Sequence, residues 1–217
     1  IIPHYESDSL YIKALANSLE NKISDLSWKP DLILASYHGI PQKYFDKGDP
    51  YHCYCQKTSR LLSEKFRTLE IKTTFQSRFG PEAWLQPYTD KTLENLPKQG
   101  KRNILVICPG FSSDCVETLE EINIQGRESF LEKGGKNFDL IPCLNDNSDH
   151  IELFEKLSID ILIILNFVFF KSNEIKFEPT NPAPPVTTIR SFIKLILFYL
   201  CLELQYLLFR YFFLLIF

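Results

Sequence analysis

Asp31-Leu-Ile-Leu-Ala-Ser-Tyr37-His38-Gly39-Ile40-Pro41 is a continuous apolar run broken by a glycine and a proline. An apolar stretch of this length without polar alternation predicts a strand buried on both faces, as in parallel sheets. Gly39 permits a sharp turn and Pro41 disfavours helix at the preceding residue, so the strand ends near His38. Outward from this run, Leu10, Ala14, Leu15, Ser18 and Leu19 give a helical stripe from Asp8 to Lys22. A helix is expected from Pro50 to Arg67, then the strand Lys72-Thr-Thr-Phe-Gln-Ser-Arg78, rich in β-branched and aromatic residues. A helical stretch from Thr89 to Leu96 leads to the strand Asn103-Ile-Leu-Val-Ile-Cys108, a long helix from Asp114 to Lys133 and a last strand, Phe138 to Cys143. Four strands alternating with helices predict an α/β fold: an open, Rossmann-like, four-stranded parallel sheet flanked by helices, with right-handed crossovers.

Ligands of such sheets bind beyond the carboxyl ends of the strands. That rule points at His38, at Gln76 to Arg78, at Gly110 to Asp114 and at Leu144-Asn145. Neither G-x-G-x-x-G nor G-x-x-x-x-G-K-[ST] occurs, so the nucleotide uses of this architecture have no support. With 24 Lys+Arg against 27 Asp+Glu there is no field to attract a polyanion, and no nucleic-acid partner is expected. Six cysteines without a signal peptide argue against a disulfide framework and for a reducing, cytoplasmic setting. Cys53-Tyr-Cys55, lacking a second pair at the usual spacing, is not a zinc signature.

All eight glycines lie between Gly39 and Gly135, and after His150 Ile, Leu, Phe and Asn dominate. We therefore expect a globular domain over 1–150 and a foreign tail over 151–217, unstructured or apolar-helical. Ser191 to Phe217 is long enough to span a bilayer. It holds Lys194, Glu203 and Arg210, however, each costing roughly 2.5–3.5 kcal/mol at mid-membrane depth. Two readings stand: tail-mediated or peripheral membrane association, and read-through of A/T-rich sequence, which we favour. The tail is assigned no function. The chain lacks Met and opens on Ile1, so its natural start is expected upstream.

Asp114-x-x-Glu117 has the form of a capping box, in which Asp114 caps a helix and Glu117 reaches back. Asp114, Glu117 and Glu121 also fall at i, i+3 and i+7, placing three carboxylates along one helical face. Like charges so arranged are relieved by a cation or a shared proton. His38 alone is read equally as a hydrogen-bonded structural residue. Beside those carboxylates, its imidazole completes a donor set suited to Fe(II) or to proton transfer near neutral pH. Phe79, Trp84, Tyr88 and Phe111 read first as core, with Trp84 and Phe111 also candidates to line an apolar slot.

Ser36-Tyr-His38-Gly-Ile-Pro41, Tyr44-Phe-Asp-Lys-Gly-Asp-Pro50, Thr74-Phe-Gln-Ser-Arg-Phe-Gly80, Trp84-Leu-Gln-Pro87 and Pro109-Gly-Phe-Ser-Ser-Asp-Cys-Val-Glu-Thr-Leu-Glu-Glu121 together resemble the ferrochelatase family in its bacterial form. The resemblance covers about residues 1 to 150, the second, C-terminal domain of two. It implies a chelatase-like fold and insertion of ferrous iron into protoporphyrin IX to form haem. His38 and Glu117 then match the iron-binding and proton-handling pair, and Asp114 and Glu121 a path for protons or metal. Gln76, Ser77, Trp84 and Phe111 match positions near the porphyrin pocket. Iron enters as substrate; no prosthetic group is implied, and no iron–sulfur cluster is expected because the tail offers only Cys201. With the family's N-terminal domain absent, this polypeptide alone is expected to be inactive. The competing readings are an inactive or merely metal-binding remnant, and a chelatase for another tetrapyrrole such as coproporphyrin.

Overall fold

A computed structural model describes residues 4–158 of the protein. In chain order the elements are α1 (Ser9–Asp25), β1 (Leu32–His38), α2 (Gln42–Asp46), α3 (Tyr51–Lys65), β2 (Ile71–Gln76), α4 (Thr89–Asn95), β3 (Asn103–Ile107), a π-helix (Glu117–Gly126), α5 (Arg127–Glu132) and β4 (Asn137–Leu140). The strands form one sheet in the order β2-β1-β3-β4. Every pairing is parallel. The expected open, Rossmann-like α/β sheet is thus observed.

The sheet is covered on both faces because its central strands are apolar on both. Ile33, Ala35, Tyr37, Leu105 and Ile107 pack with α1 and α3 on one side. Leu32, Leu34, Ile104 and Val106 pack with Leu93, Ile122 and Phe130 on the other. The alternation follows from the two-residue period of a strand. Asp8 caps α1, its carboxylate accepting from the Leu10 amide at 2.9 Å.

The long helix expected from Asp114 to Lys133 is not one α-helix. Its first part winds as a π-helix from Glu117, with neither a side-chain cap nor an α-helical start at Asp114. Apolar spacing reads the buried face of such a segment but not the wider i→i+5 hydrogen bonding that defines it. Strand β4 also stops at Leu140, short of Cys143.

The boundary expected at 150 falls inside a helical segment over 148–158. Leu153 and Leu157 of that segment join the core beside α1. Asn17 donates to Asp149 at 2.7 Å and Lys156 to Asp8 at 2.7 Å. The compact unit accordingly runs to Leu157. No helix among the described residues is long and apolar enough to cross a membrane, and the stretch from Ser191 to Phe217 lies outside them.

His150 in this segment is 2% exposed, and its Nδ1 bonds the Asn145 carbonyl at 2.8 Å. Burial lowers its pKa from the ordinary value of 6.5, and the carbonyl contact only partly offsets this. The unfolded chain therefore binds more protons between the folded pKa and 6.5, and stability falls as pH drops through that window. Glu6, Asp8 and Asp114, whose pKa values are also lowered, act in a separate window below about 4.5. We expect the melting temperature to decline between about pH 7.5 and 5.5, and the decline to flatten in His150→Gln. Scanning calorimetry across that range checks both.

Candidate active site

The carboxyl ends of β1, β2 and β3 bring the site together. His38 ends β1 in register with Gln76, which ends β2. Gly39 turns the chain here, where a Cβ would lie 2.9 Å from the Gln76 carbonyl oxygen and 3.2 Å from the Trp84 ring. The close approach of backbone and indole, not a positive φ, is what requires glycine.

Nδ1 of His38 lies 2.6 Å from the Gly39 carbonyl. A carbonyl only accepts, so in the neutral ring Nδ1 carries the hydrogen and Nε2 carries the lone pair. Nε2 has no hydrogen-bond partner among the described residues. The Tyr51 hydroxyl donates to the His38 carbonyl at 2.8 Å and steadies its backbone. Phe111 and Trp84 flank the ring, with centroids at 6.2 and 6.5 Å. Both residues expected to line an apolar slot therefore stand beside His38. Phe79, read first as core, is instead 75% exposed and stacks on Trp84 at 5.1 Å.

Gln76 and Ser77, which the resemblance places near the porphyrin pocket, line the cavity beside Glu121 and also brace the π-helix. Gln76 is 3% exposed. Its Oε1 accepts from Ser36 at 2.7 Å, and its Nε2 donates to the Glu117 carbonyl at 2.7 Å. Ser36 continues to Thr89 and Thr89 to Thr74, at 2.8 and 2.9 Å, making a buried polar chain from the sheet to the π-helix. Ser77 adopts φ 63° and aims its amide and hydroxyl at the Glu121 carboxylate, at 2.7 and 2.5 Å. Both residues hold the π-helix against the end of β2.

The three carboxylates have three different surroundings. Asp114 lies before the π-helix and caps nothing in it. Its carboxylate accepts from the Cys143 amide at 3.1 Å, the Asn145 amide group at 2.8 Å and Thr118 at 3.4 Å. Burial acts to raise its pKa, but these hydrogen bonds outweigh it and leave the carboxyl below its ordinary value. Glu121 is held by Ser77 beside a cavity of about 310 Å³ lined also by Arg78, Asp90 and Gln125. Glu117 is half-buried, and its carboxylate acts on the Cys115 thiol two residues before it. Burial first, and then the neighbouring Glu117 carboxylate, raise the thiol's pKa.

Among the described residues no three His, Cys, Asp or Glu side chains converge as a ready metal cage. What the geometry offers is one imidazole nitrogen with a free lone pair and one lightly held carboxylate. A larger hollow, about 490 Å³ around Trp28 and Pro30, lies at the amino ends of β1 and β2, away from His38. The strand-end rule makes it the weaker candidate.

Tyr51 was not singled out in the sequence, and Asn145 only by the strand-end rule. Tyr51 follows the Gly-Asp-Pro turn and reads as an ordinary helix start. Asn145 lies at a strand end, and asparagine is the residue besides glycine most at ease in the left-handed conformation it adopts, φ 46°.

Residues 1–160 match the ferrochelatase family. A ferrochelatase of Rhizobium etli CFN 42 is 57% identical over 158 residues, which are 72% of this chain and 46% of that protein. One from Rhizobium meliloti 1021 is 57% identical over 150 residues, 68% of this chain and 44% of that protein. One from Agrobacterium fabrum C58 is 53% identical over 158 residues, again 72% and 46%. The chain spans just under half the length of these curated relatives. The family model matches well over half of the chain, and the chain belongs to the ferrochelatase family.

Proposed function

We propose that this chain carries the iron-handling face of an enzyme that inserts ferrous iron into protoporphyrin IX to form haem. The observation that carries the reading is the 2.6 Å contact of His38 Nδ1 with the Gly39 carbonyl at the end of β1, which assigns the hydrogen to Nδ1 and leaves the Nε2 lone pair open. A neutral imidazole accepts a proton from a pyrrole N–H or donates its lone pair to Fe(II), and a carboxylate serves either task. Phe111 and the Trp84–Phe79 pair form an apolar wall suited to a flat macrocycle beside that nitrogen. Iron is substrate in this reading, and the chain is assigned no resident prosthetic group. In this reading the compact unit ending at Leu157 is the second of the family's two domains.

The family match favours protoporphyrin, with coproporphyrin as the alternative macrocycle. The test places residues 1–160 in the Rhizobium etli relative, in exchange for the segment they match, and follows haem formation anaerobically with Fe(II) and each porphyrin. Faster turnover of protoporphyrin supports the proposal. A folded graft that forms no haem from either porphyrin contradicts it.

A further inference from the structure

Glu117 is held through its main chain, its carbonyl accepting from Gln76 at 2.7 Å, rather than through its side chain. Its position is set by the backbone that leads into the π-helix, and that backbone is gripped from outside. Asn145, beyond β4, accepts from the Asp114 amide at 2.9 Å and donates its side-chain amide to the Asp114 carboxylate at 2.8 Å. The Asn145 backbone amide donates to the Ser112 carbonyl at 2.9 Å. One residue thus stitches 112–114 to the end of β4. Thr118 carries the grip onward, accepting from the Cys115 amide at 3.0 Å and donating to the Cys115 carbonyl at 3.1 Å. Asn145 is itself held from behind by the buried ring of His150.

We infer that Asn145 is a positioning residue: its reciprocal clasp with Asp114 sets where the π-helix begins and so where Glu117 stands. The inference rests on the reading of Glu117 as an iron-handling carboxylate, and it gives Asp114 a mechanical task in place of the proton or metal path implied by resemblance. A left-handed φ alone would be met better by glycine. What glycine lacks is the amide that reads both the Asp114 N–H and its carboxylate.

The test is hydrogen exchange, followed by mass spectrometry, on the full 217-residue chain carrying Asn145→Gly, Asn145→Asp, or Asp114→Asn together with Asn145→Asp. Asn145→Gly keeps the backbone conformation and removes the clasp. Exchange over 112–121 is expected to quicken about tenfold or more, with β1 and β3 unchanged. Asn145→Asp sets two carboxylates against each other and behaves alike. In the double variant the amide comes from position 114 and the carboxylate from 145, and protection returns. Unaltered exchange over 112–121 in Asn145→Gly, equal loss of protection in β1 and β3, or no recovery in the double variant overturns the proposal. Iron insertion by the Rhizobium etli graft carrying the same substitutions should lose kcat in Asn145→Gly and regain it in the double variant. A parent graft that inserts no iron counts against the functional reading alone, and the exchange comparison still decides the clasp.

Discussion

His38→Ala in the Rhizobium etli graft is expected to lower kcat for iron insertion by about a thousandfold while changing KM for the porphyrin by less than about threefold. The split follows from the geometry. The apolar wall of Phe111, Trp84 and Phe79 does not depend on the imidazole, so porphyrin binding persists. What is lost is the one nitrogen whose lone pair is left free by the bond to the Gly39 carbonyl. A positioned acid–base group contributes roughly 10²–10⁴ in rate, which sets the scale. The ring is half-buried and makes one hydrogen bond, so the variant should melt within a few degrees of the parent. Steady-state kinetics with a thermal melt separates the outcomes. A rise in KM at constant kcat would mean that His38 binds the macrocycle only.

The second large effect is expected at Gln76. Among the described residues no buried side-chain nitrogen or oxygen lacks a partner, and Gln76 is the junction of that satisfied set. Gln76→Leu removes the donor to the Glu117 carbonyl and the acceptor from Ser36. Each orphaned buried group costs about 1–3 kcal/mol, although Ser36 keeps Thr89 and the new side chain regains apolar burial. A net loss of about 2–3 kcal/mol follows. Gln76→Glu is nearer in shape yet more damaging at neutral pH. It has no amide to donate and puts a second carboxylate where Glu121 lies 3.4 Å from the present nitrogen. Denaturant unfolding of both variants gives the ranking, and equal stabilities would contradict it. Both should also lose iron insertion, because the carbonyl released belongs to Glu117.

The sheet was legible because its signal is crude. Continuous apolar runs at 31–37 and 103–108 can hardly be anything but strands covered on both faces, and the glycine and proline after them mark the ends. Strand-end position alone brought His38, Phe111 and Trp84 into the candidate site, and the structure gathers the three rings at one edge of the sheet. What stayed hidden is how polar groups at the strand ends are spent. Gln76 and Ser77 sit at a strand end yet turn inward to hold the π-helix, and no pattern in the sequence tells a polar side chain that meets ligand from one that meets backbone. The capping box at Asp114 failed for a related reason. Asp114-x-x-Glu117 satisfies the local rule, but Asn145, about thirty residues on, offers the carboxylate a better partner, and long-range competition of this kind leaves no local trace. The winding of the helix was hidden as well, because the carbonyl bond from Gln76 that accompanies it comes from another strand.

The central claim is that His38 and Glu117 act on the same event. The measurement is the rate of anaerobic Fe(II) insertion into protoporphyrin by the graft, with His38→Ala and Glu117→Gln made singly and together. Groups that work as a unit are strongly non-additive, so the double variant should be no slower than the worse single one by more than about threefold. Losses that multiply, or a Glu117→Gln variant that keeps the parent rate, would mean that the two residues do not form one site.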